Sequence, residues 1–496
     1  MTEQPRLDPA QHGLGDMAPA DFRRAAHRVA DLVADYLERL ESYRVLPDLV
    51  PGAIRAQLPA AAPASPEPLD AALADYLRLI EPNITHWQHP GFMAYFTSIA
   101  CGPGILGEWL AAGLNSNVML WRNAPASTEL EETVVAWLRR ALGLPDAFDG
   151  MFTDTASISS LTSLVAARHV VPGLDARDEG LAGRPEIGRL RLYASTEAHS
   201  SIEKAAIVIG VGRNGLRRIP ADDEYRMRPD LLAAAIEEDR RAGRMPFAVV
   251  ATAGTTSSTS VDPVDALADV CAREGLWLHV DAAYGGTAAL APELRPQLRG
   301  WERADSIVVN PHKWMSTPFD ASLLLFRRPE AFRSALNLVP EYLRVRKEGE
   351  AHDFHEYGIQ LGRRFRALKL WFQLRYFGTD GMAARIREHV RLARQLADWI
   401  DAEPDWQRLA PVPFSTVCFR HRPAALTARE SDPDVRAELD RRNEALLARV
   451  NSSGRFFLSH TKLRDRFTLR VTLGNLRATE RHVRECWALL RESAAG

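Results

Sequence analysis

Apolar residues change their spacing along this chain, and each spacing predicts a different kind of element. From about 19 to 42 they recur with a helical period (Phe22, Val29, Leu32, Val33, Tyr36, Leu37, Leu40) behind the start signal Pro19-Ala20-Asp21. The proline- and alanine-rich run 58–68 predicts an extended connector, and a second amphipathic helix covers roughly 69 to 80. Two or three such helices cannot bury their own stripes and are expected to pack on another surface. Short, uniformly apolar runs then take over: Leu190–Ala194, Phe247–Thr252, Leu276–Val280, Ser306–Val309 and Ala321–Phe326, with helical segments between them. They predict a buried, mostly parallel sheet. From about 376 a third pattern appears. A long helix carries Ile386, Val390, Ala393, Ala397 and Ile400 on one stripe, and a strand follows at Ser415–Phe419. A helix over Ala437–Asn451, an alternating strand with Phe467, Leu469 and Val471 on one face, and a last helix complete the chain. The expected organisation is an N-terminal helical arm (1–101), a large α/β domain (102–375) and a small C-terminal α+β domain (376–496).

Composition narrows the class. With 496 residues, 46% hydrophobic and 25% charged, the chain is of ordinary globular make-up and long enough for a large core. Its 62 basic and 64 acidic residues leave a net charge of −2, so no global field draws in nucleic acid or an anionic membrane, and neither is expected as a partner. No run of 18 apolar residues and no basic-then-apolar leader is seen, which predicts a cytoplasmic protein. Cys101, Cys271, Cys418 and Cys486 lie far apart, as free thiols do in a reducing compartment. The pairs His86/His89 and His352/His355 come with no convincing third ligand, so no metal is expected.

The informative residues follow the strands. The runs open into Ser195-Thr196-Glu197-Ala198-His199, Ala253-Gly254-Thr255-Thr256, Asp281-Ala282-Ala283-Tyr284 and Asn310-Pro311-His312-Lys313, and open α/β sheets bind ligands beyond the carboxyl ends of their strands. A lysine after a strand is ordinarily a surface cation. Lys313, however, has company. Asp281 ends an apolar run, where a carboxylate must meet a cation or cap the next segment. The hydroxyl-rich stretch Thr153–Ser160 opens a helical pattern and offers N–H groups and a favourable dipole to a phosphate, although such residues also cap ordinary helices. His199 is either a loop histidine bonded to backbone or a ring over a cofactor. An amine, a carboxylate for a pyridine nitrogen, a phosphate cradle and a group over the ring are what pyridoxal 5'-phosphate (PLP) requires. Lys313 is therefore expected to carry PLP as a Schiff base.

The segments YASTEAHSS, VVATAGTTS, HVDAAY and NPHKW, in this order and spacing, resemble the group II PLP-dependent amino-acid decarboxylases, in particular the aromatic L-amino-acid decarboxylases. DFRRAAHRVADLVADYLE is similar to their N-terminal arm, THWQHPGFMAYF to the segment after it, and LGRRFRALKLWF to the junction into their small domain. The resemblance thus covers nearly the whole chain. It implies an aspartate-aminotransferase-like (fold type I) α/β fold with a mostly parallel seven-stranded sheet, and a homodimer that shares its active site between subunits. It also implies carboxy-lyase chemistry in amino-acid metabolism. The substrate amine displaces Lys313, the carboxylate leaves as CO2, and the resulting quinonoid is reprotonated. The resemblance gives Asp281 the pyridine nitrogen, His199 the ring face, and Ala156, Ser157 and Asn310 the phosphate. Thr155, Thr256, Ala283 and His312 join them as cofactor contacts. Tyr342, in the polar stretch Pro340–His355 that resembles a mobile catalytic loop, delivers the proton. Trp87, Tyr95, Phe96 and Phe319 match an aromatic substrate pocket, with Ser98, Asn117, Met119, His199 and Gly362 as further substrate positions.

Several positions depart from the family. Ser98 stands where threonine is usual, and Asn117 and Met119 stand where animal enzymes carry isoleucine and phenylalanine from the partner subunit. Asp154 replaces a glycine and Ile158 an acid in the phosphate loop, and an aspartate there is unfavourable unless it points away or caps the helix. Gly362 matches plant relatives that act on indolic substrates. The expected reaction is decarboxylation of an L-amino acid of the tryptophan, phenylalanine, tyrosine or dihydroxyphenylalanine class to the amine and CO2. A polar or acidic substrate, suggested by Asn117, and aldehyde formation, disfavoured by Tyr342, remain as alternatives within PLP chemistry. A non-catalytic binding protein on the same fold is argued against by Lys313, Asp281, His199 and Tyr342.

Overall fold

The computed structural model describes residues 15–184, 188–338 and 352–495. The chain divides into two compact units, residues 1–89 and 90–496. In the first, α1 (Pro19–Glu38) starts at a proline and has no buried residue, so Phe22, Val29 and Val33 of its apolar stripe are exposed. The helix expected over 69–80 is α2 (Leu69–Asp75) followed by one widened turn, Tyr76–Ile80. His86 stacks on Tyr43 at 4.4 Å and meets the Tyr36 hydroxyl at 3.1 Å, while Tyr43 donates to Glu81 at 2.5 Å.

The second unit opens with α3 (Gly102–Leu114) and α4 (Pro125–Ala141). Its large sheet contains β1 (Asp149–Thr153), β2 (Leu190–Ser195), β3 (Leu216–Ile219), β4 (Met245–Thr252), β5 (Trp277–Asp281), β6 (Ser306–Val309) and β7 (Ser322–Phe326), in the order β1-β7-β6-β5-β4-β2-β3. β2 through β6 are parallel, and β7 runs antiparallel to both β6 and β1. The five runs read from the sequence are all here; β1 and β3 are additional. Helices α5 (Ala156–His169), α6 (Ser200–Val208), α7 (Pro229–Arg241), α8 (Val264–Glu274) and α9 (Pro329–Leu336) connect or flank the strands. With both faces covered, β2, β4, β5, β6 and β7 are buried almost throughout, which is why they read as continuous apolar runs.

α10 (Ala367–Ala402) breaks at Gly378, whose φ of 64° lies in the left-handed region that glycine enters freely. Beyond it a second sheet is antiparallel throughout, from β8 (Trp406–Arg408), β9 (Thr416–His421), β10 (Ser459–Leu463) and β11 (Arg466–Thr472), in the order β10-β11-β9-β8. α11 (Ala424–Thr427), α12 (Pro433–Ser452) and α13 (Glu480–Ala495) complete this part. A separate apolar cluster, including Leu392, Phe419, Leu446, Leu469 and Trp487, fills the space between helices and sheet. Among the described residues no helix is long and apolar enough to cross a membrane.

Candidate active site

The central strands end in register: Thr252 of β4 pairs with Asp281 of β5, and Asp281 with Val308 of β6. Residues just past these ends emerge side by side and wall a cleft of about 360 Å³. Lys313, Asn310 and His312 enter it from the turn after β6, and Asp281 and Ala283 from the end of β5. Thr252, Gly254 and Thr256 come from β4 and its loop, and His199 from the loop after β2. Gly254 has a φ of 97°, and a Cβ there would stand 3.1 Å from the backbone nitrogen of Gly285, so the wall requires glycine.

Lys313 Nζ lies 5.1 Å from the centre of the Phe96 ring. That ring begins a stack that continues through Tyr284 and Trp314 at spacings of 4.0 and 4.9 Å. Burial lowers the pKa of the lysine and Asp281 opposes the shift. An amine so placed gives up its proton more easily than a surface lysine, as a nucleophile must. Asp281 is buried and accepts the Ala283 N–H at 3.1 Å, so it caps its own turn and also lines the cleft. His199 Nδ1 accepts the Ser201 N–H at 3.1 Å and thereby caps α6, which fixes its ring. Burial lowers the pKa of this ring, with Asp281 pulling up and Lys313 and Lys204 pushing down, so the imidazole is neutral at pH 7.

α5 begins after an extended Thr155, whose carbonyl takes the Ile158 and Ser159 N–H groups, leaving the amides of Ala156 and Ser157 without an acceptor within the helix. Thr155, Ala156 and Ser157 line the cleft at this positive end. Asp154 turns back on the Thr155 N–H and hydroxyl at 2.5 and 3.1 Å and is absent from the lining. Ser159 and Ser160, in the stretch expected to offer hydroxyls to phosphate, are buried against the sheet instead. Ser160 Oγ meets His279 Nε2 at 3.0 Å, and His279 Nδ1 meets Ser306 of β6 at 2.9 Å.

Of the expected substrate positions, Tyr95 and Phe96 line the cleft. Ser98 gives its hydroxyl to the carbonyl of His312 at 2.6 Å, so it holds the backbone beside Lys313. Phe319 is mostly exposed, its ring 4.6 Å from that of His312. Asn117, Met119 and Gly362 stand together away from this lining. Asn117 Oδ1 accepts the Arg363 N–H at 2.9 Å, and a Cβ at Gly362 would meet only Asn117 Nδ2, at 3.9 Å. Arg363 beside them is anchored in the core by Glu131 at 2.5 Å and by the Phe152 carbonyl at 2.8 Å. Trp87 belongs to the first unit. Tyr342 lies outside the described residues, as does most of the polar stretch around it. The end of that stretch differs from expectation: Phe354–Tyr357 forms a buried turn, with Glu356 paired to Arg333 at 2.9 Å. His352 lies 2.7 Å from Glu132 and 3.4 Å from Asp149, which raise its pKa to about 10. Among the described residues no cluster of His, Cys, Asp or Glu is arranged to hold a metal ion.

Arg470 is the residue that the sequence pattern did not disclose. It lies mid-strand in β11, is buried, lines the cleft, and holds its guanidinium 5.4 Å from the Phe96 ring. Nη1 donates to Ser459 at 3.2 Å, whereas the buried Nε and Nη2 have no hydrogen-bond partner among the described residues. The cleft therefore presents an amine, a buried carboxylate, a helix N-terminus and a spare guanidinium. This donor set fits PLP, whose aldehyde, pyridine nitrogen and phosphate call for the first three.

The pyridoxal-dependent decarboxylase conserved domain matches residues 51–422. An aromatic-L-amino-acid decarboxylase of Sus scrofa is 38% identical over 490 residues, 97% of each chain. A phenylacetaldehyde synthase of Arabidopsis thaliana is 38% identical over 493 residues, again 97% of each. A crystal structure of Oryza sativa TDC with PLP and tryptamine superposes with a TM-score of 0.90 at 34% identity, covering 100% of this chain and 99% of that one. Matched over most of its length and equipped at one cleft with the groups that its cofactor requires, the chain belongs to the pyridoxal-dependent decarboxylases, PLP-dependent carboxy-lyases.

Proposed function

We propose that this enzyme converts an aromatic L-amino acid to its amine and CO2. The observation that carries the reading is the single cleft in which Lys313, Asp281 and the α5 terminus stand beside the aromatic wall of Tyr95 and Phe96. The relatives that act on aromatic amino acids support it. When bound, PLP supplies a sink for the electron pair left on the α-carbon as CO2 departs. Lys313 would hold the cofactor through Nζ. Asp281 would face the pyridine nitrogen and favour its proton. Thr155, Ala156, Ser157 and Asn310 take the phosphate, with Thr256 and Ala283 beside them. His199, its Nδ1 already engaged, offers a ring face rather than a proton. The unpartnered edge of Arg470 receives the carboxylate of the incoming substrate, a charge-assisted pairing. Tyr342 returns a proton to the α-carbon.

Purified protein is expected to show the visible absorbance of lysine-bound PLP, and Lys313→Ala to lose it. The substrate is read from CO2 and amine release with the twenty amino acids, dihydroxyphenylalanine and 5-hydroxytryptophan. Turnover of acidic substrates alone would overturn the aromatic reading. A second reading, aldehyde formation, is favoured by the Arabidopsis relative. It requires oxygen uptake by the wild type, whereas the tyrosine assignment predicts oxygen uptake only in Tyr342→Phe. The reading extends to a homodimer in a reducing cytoplasm. The unburied stripe of α1 and the exposed Leu106, Trp109, Leu110 and Leu114 of α3 support the dimer, and four buried free cysteines the compartment. Sedimentation as a monomer at micromolar concentration would remove the dimer.

A further inference from the structure

Beneath the cleft, buried polar side chains form a continuous line. Thr153 Oγ1 lies 2.7 Å from Ser159 Oγ, which lies 3.0 Å from Ser322 Oγ. Ser322 Oγ is 2.7 Å from one end of the Asn310 amide, whose other end is 3.2 Å from His312 Nε2. All five residues are buried. A hydroxyl both donates and accepts, so such a line has no direction until one end sets it.

Ala321 sets it. A backbone N–H can only donate, and that of Ala321 donates to His312 Nδ1 at 3.0 Å. Nδ1 therefore keeps its lone pair, and the ring carries its one proton on Nε2. In the structure Asn310 Nδ2 faces His312 Nε2 and Oδ1 faces Ser322. Two donors cannot face each other, so the amide is assigned turned over, with its oxygen toward His312 and its nitrogen toward Ser322, because the two ends of an amide are told apart only by such a network. Each hydroxyl then has one way to point. Ser322 donates to Ser159, Ser159 to Thr153, and Thr153 to the carbonyl of Thr155 at 3.3 Å, where α5 begins.

We infer that His312 is a permanently neutral positioning residue, with both ring nitrogens committed inside the protein, and that it orients Asn310 while Ser322 and Ser159 carry the same alignment to the N-terminus of α5. The inference rests on the cleft being the cofactor site. It changes the part expected of His312: the ring nitrogens neither touch the cofactor nor pass a proton, and only the ring face is left to the site. The charges around it agree. Lys313 and Lys369 oppose a second proton on the ring, and Asp320, which favours one, is paired with Arg366 at 2.7 Å. Lys369 is in turn paired with Glu108 at 2.7 Å. Burial and the two lysines prevail, pushing the pKa of His312 down to about 3.

Nitrogen-15 spectra of histidine-labelled protein test the inference without any turnover, in the cofactor-free and the loaded chain alike. The resonance missing from His312→Gln is expected to show a protonated Nε2 and a bare Nδ1, unchanged between about pH 5 and 9. An Nδ1-protonated ring, or one that titrates in that range, would overturn the inference. Ser322→Ala is expected to weaken PLP binding about 10-fold, and His312→Gln to weaken it less. Both should leave the limbs of the kcat/KM profile against pH in place. A displaced limb in His312→Gln, or unaltered PLP affinity in both variants, would also overturn it. Failure of the wild type to bind PLP would strike the cofactor assignment instead, because the cofactor-free spectrum still reads the tautomer.

Discussion

The two sheets bring polar groups to the cleft in opposite ways. In the seven-stranded sheet the chemistry starts where the apolar run stops: Asp281 is the last residue of β5, and Asn310 and Lys313 follow β6. In the four-stranded sheet Arg470 sits inside β11, between Leu469 and Val471, with Thr468 and Thr472 on its own face also buried. A strand-end group can meet solvent or ligand through loop movement. A mid-strand arginine is held in place by the ladders to β9 and β10 and is buried. A buried cation with open donors is tolerable chiefly where an anion arrives to meet it. The difference teaches that strand ends supply groups that change state during a reaction, whereas a strand interior supplies a fixed charge.

Asp281→Asn and Arg470→Met pull these two modes apart. Asp281→Asn is expected to lower kcat by roughly 10²- to 10³-fold with little change in KM, because it removes electrostatic support for the reaction itself. Arg470→Met is expected to raise KM by about 10- to 100-fold with a smaller effect on kcat, the loss of one charged hydrogen-bonding contact. Steady-state kinetics on both variants separates them, and an unchanged KM in Arg470→Met would reduce the guanidinium to packing. Acid stability probes the next level. Burial holds His279, His312 and His389 neutral in the fold, with pKa values lowered to about 4, 3 and 4, while the unfolded chain protonates them near 6.5. Burial shifts Asp262 the other way, up to about 7, so the folded chain takes one proton that the unfolded chain takes only near 3.8. Between about pH 6 and 4.5 these four groups together give the unfolded state a net excess of about two protons, so their contribution to stability falls as the pH falls. A flat melting temperature over that window would mean that these imidazoles are charged in the fold. The smallest effect belongs to Gly362→Ser, away from both sheets' contributions. A Cβ there makes only an ordinary contact with Asn117 Nδ2 at 3.9 Å, so stability should stay within about 0.5 kcal/mol while the ratio of indolic to phenolic turnover moves.

The same contrast explains what could be read from the sequence. The runs that became β2, β4, β5, β6 and β7 are uniformly apolar because both faces are covered, and their polar termini marked Lys313, Asp281 and His199 at once. β1 and β3 were not visible as runs: Asp149-Gly150 opens one and Arg217-Arg218 occupies the other, and both depend on neighbours distant in sequence. β11 was legible as an alternating strand, but alternation implies one wet face, and here both faces are covered. Ser159 and Ser160 looked like phosphate donors because a helix start and a helix floor use the same small hydroxyls. The polar stretch Pro340–His355 suggested a mobile loop to its end, yet Phe354–Tyr357 is buried, with Glu356 paired to Arg333 and His355 Nδ1 meeting the Met119 carbonyl. Partners supplied by the tertiary fold carry no local signature.

The pairing of β1 with β7 has a consequence for how the enzyme is made. β1 leaves the ribosome about 170 residues before the strand that closes it, so its edge waits without a partner while most of the large sheet is synthesised. Ser322, the residue that ties α5 to Asn310, arrives on that same late strand. Until β7 docks, the nascent chain therefore lacks the strand that carries Ser322 to Ser159 and Asn310. Chains that stall before Phe326 would expose β1 to other strands, a hazard that a growing polypeptide shares with any sheet left open at its edge.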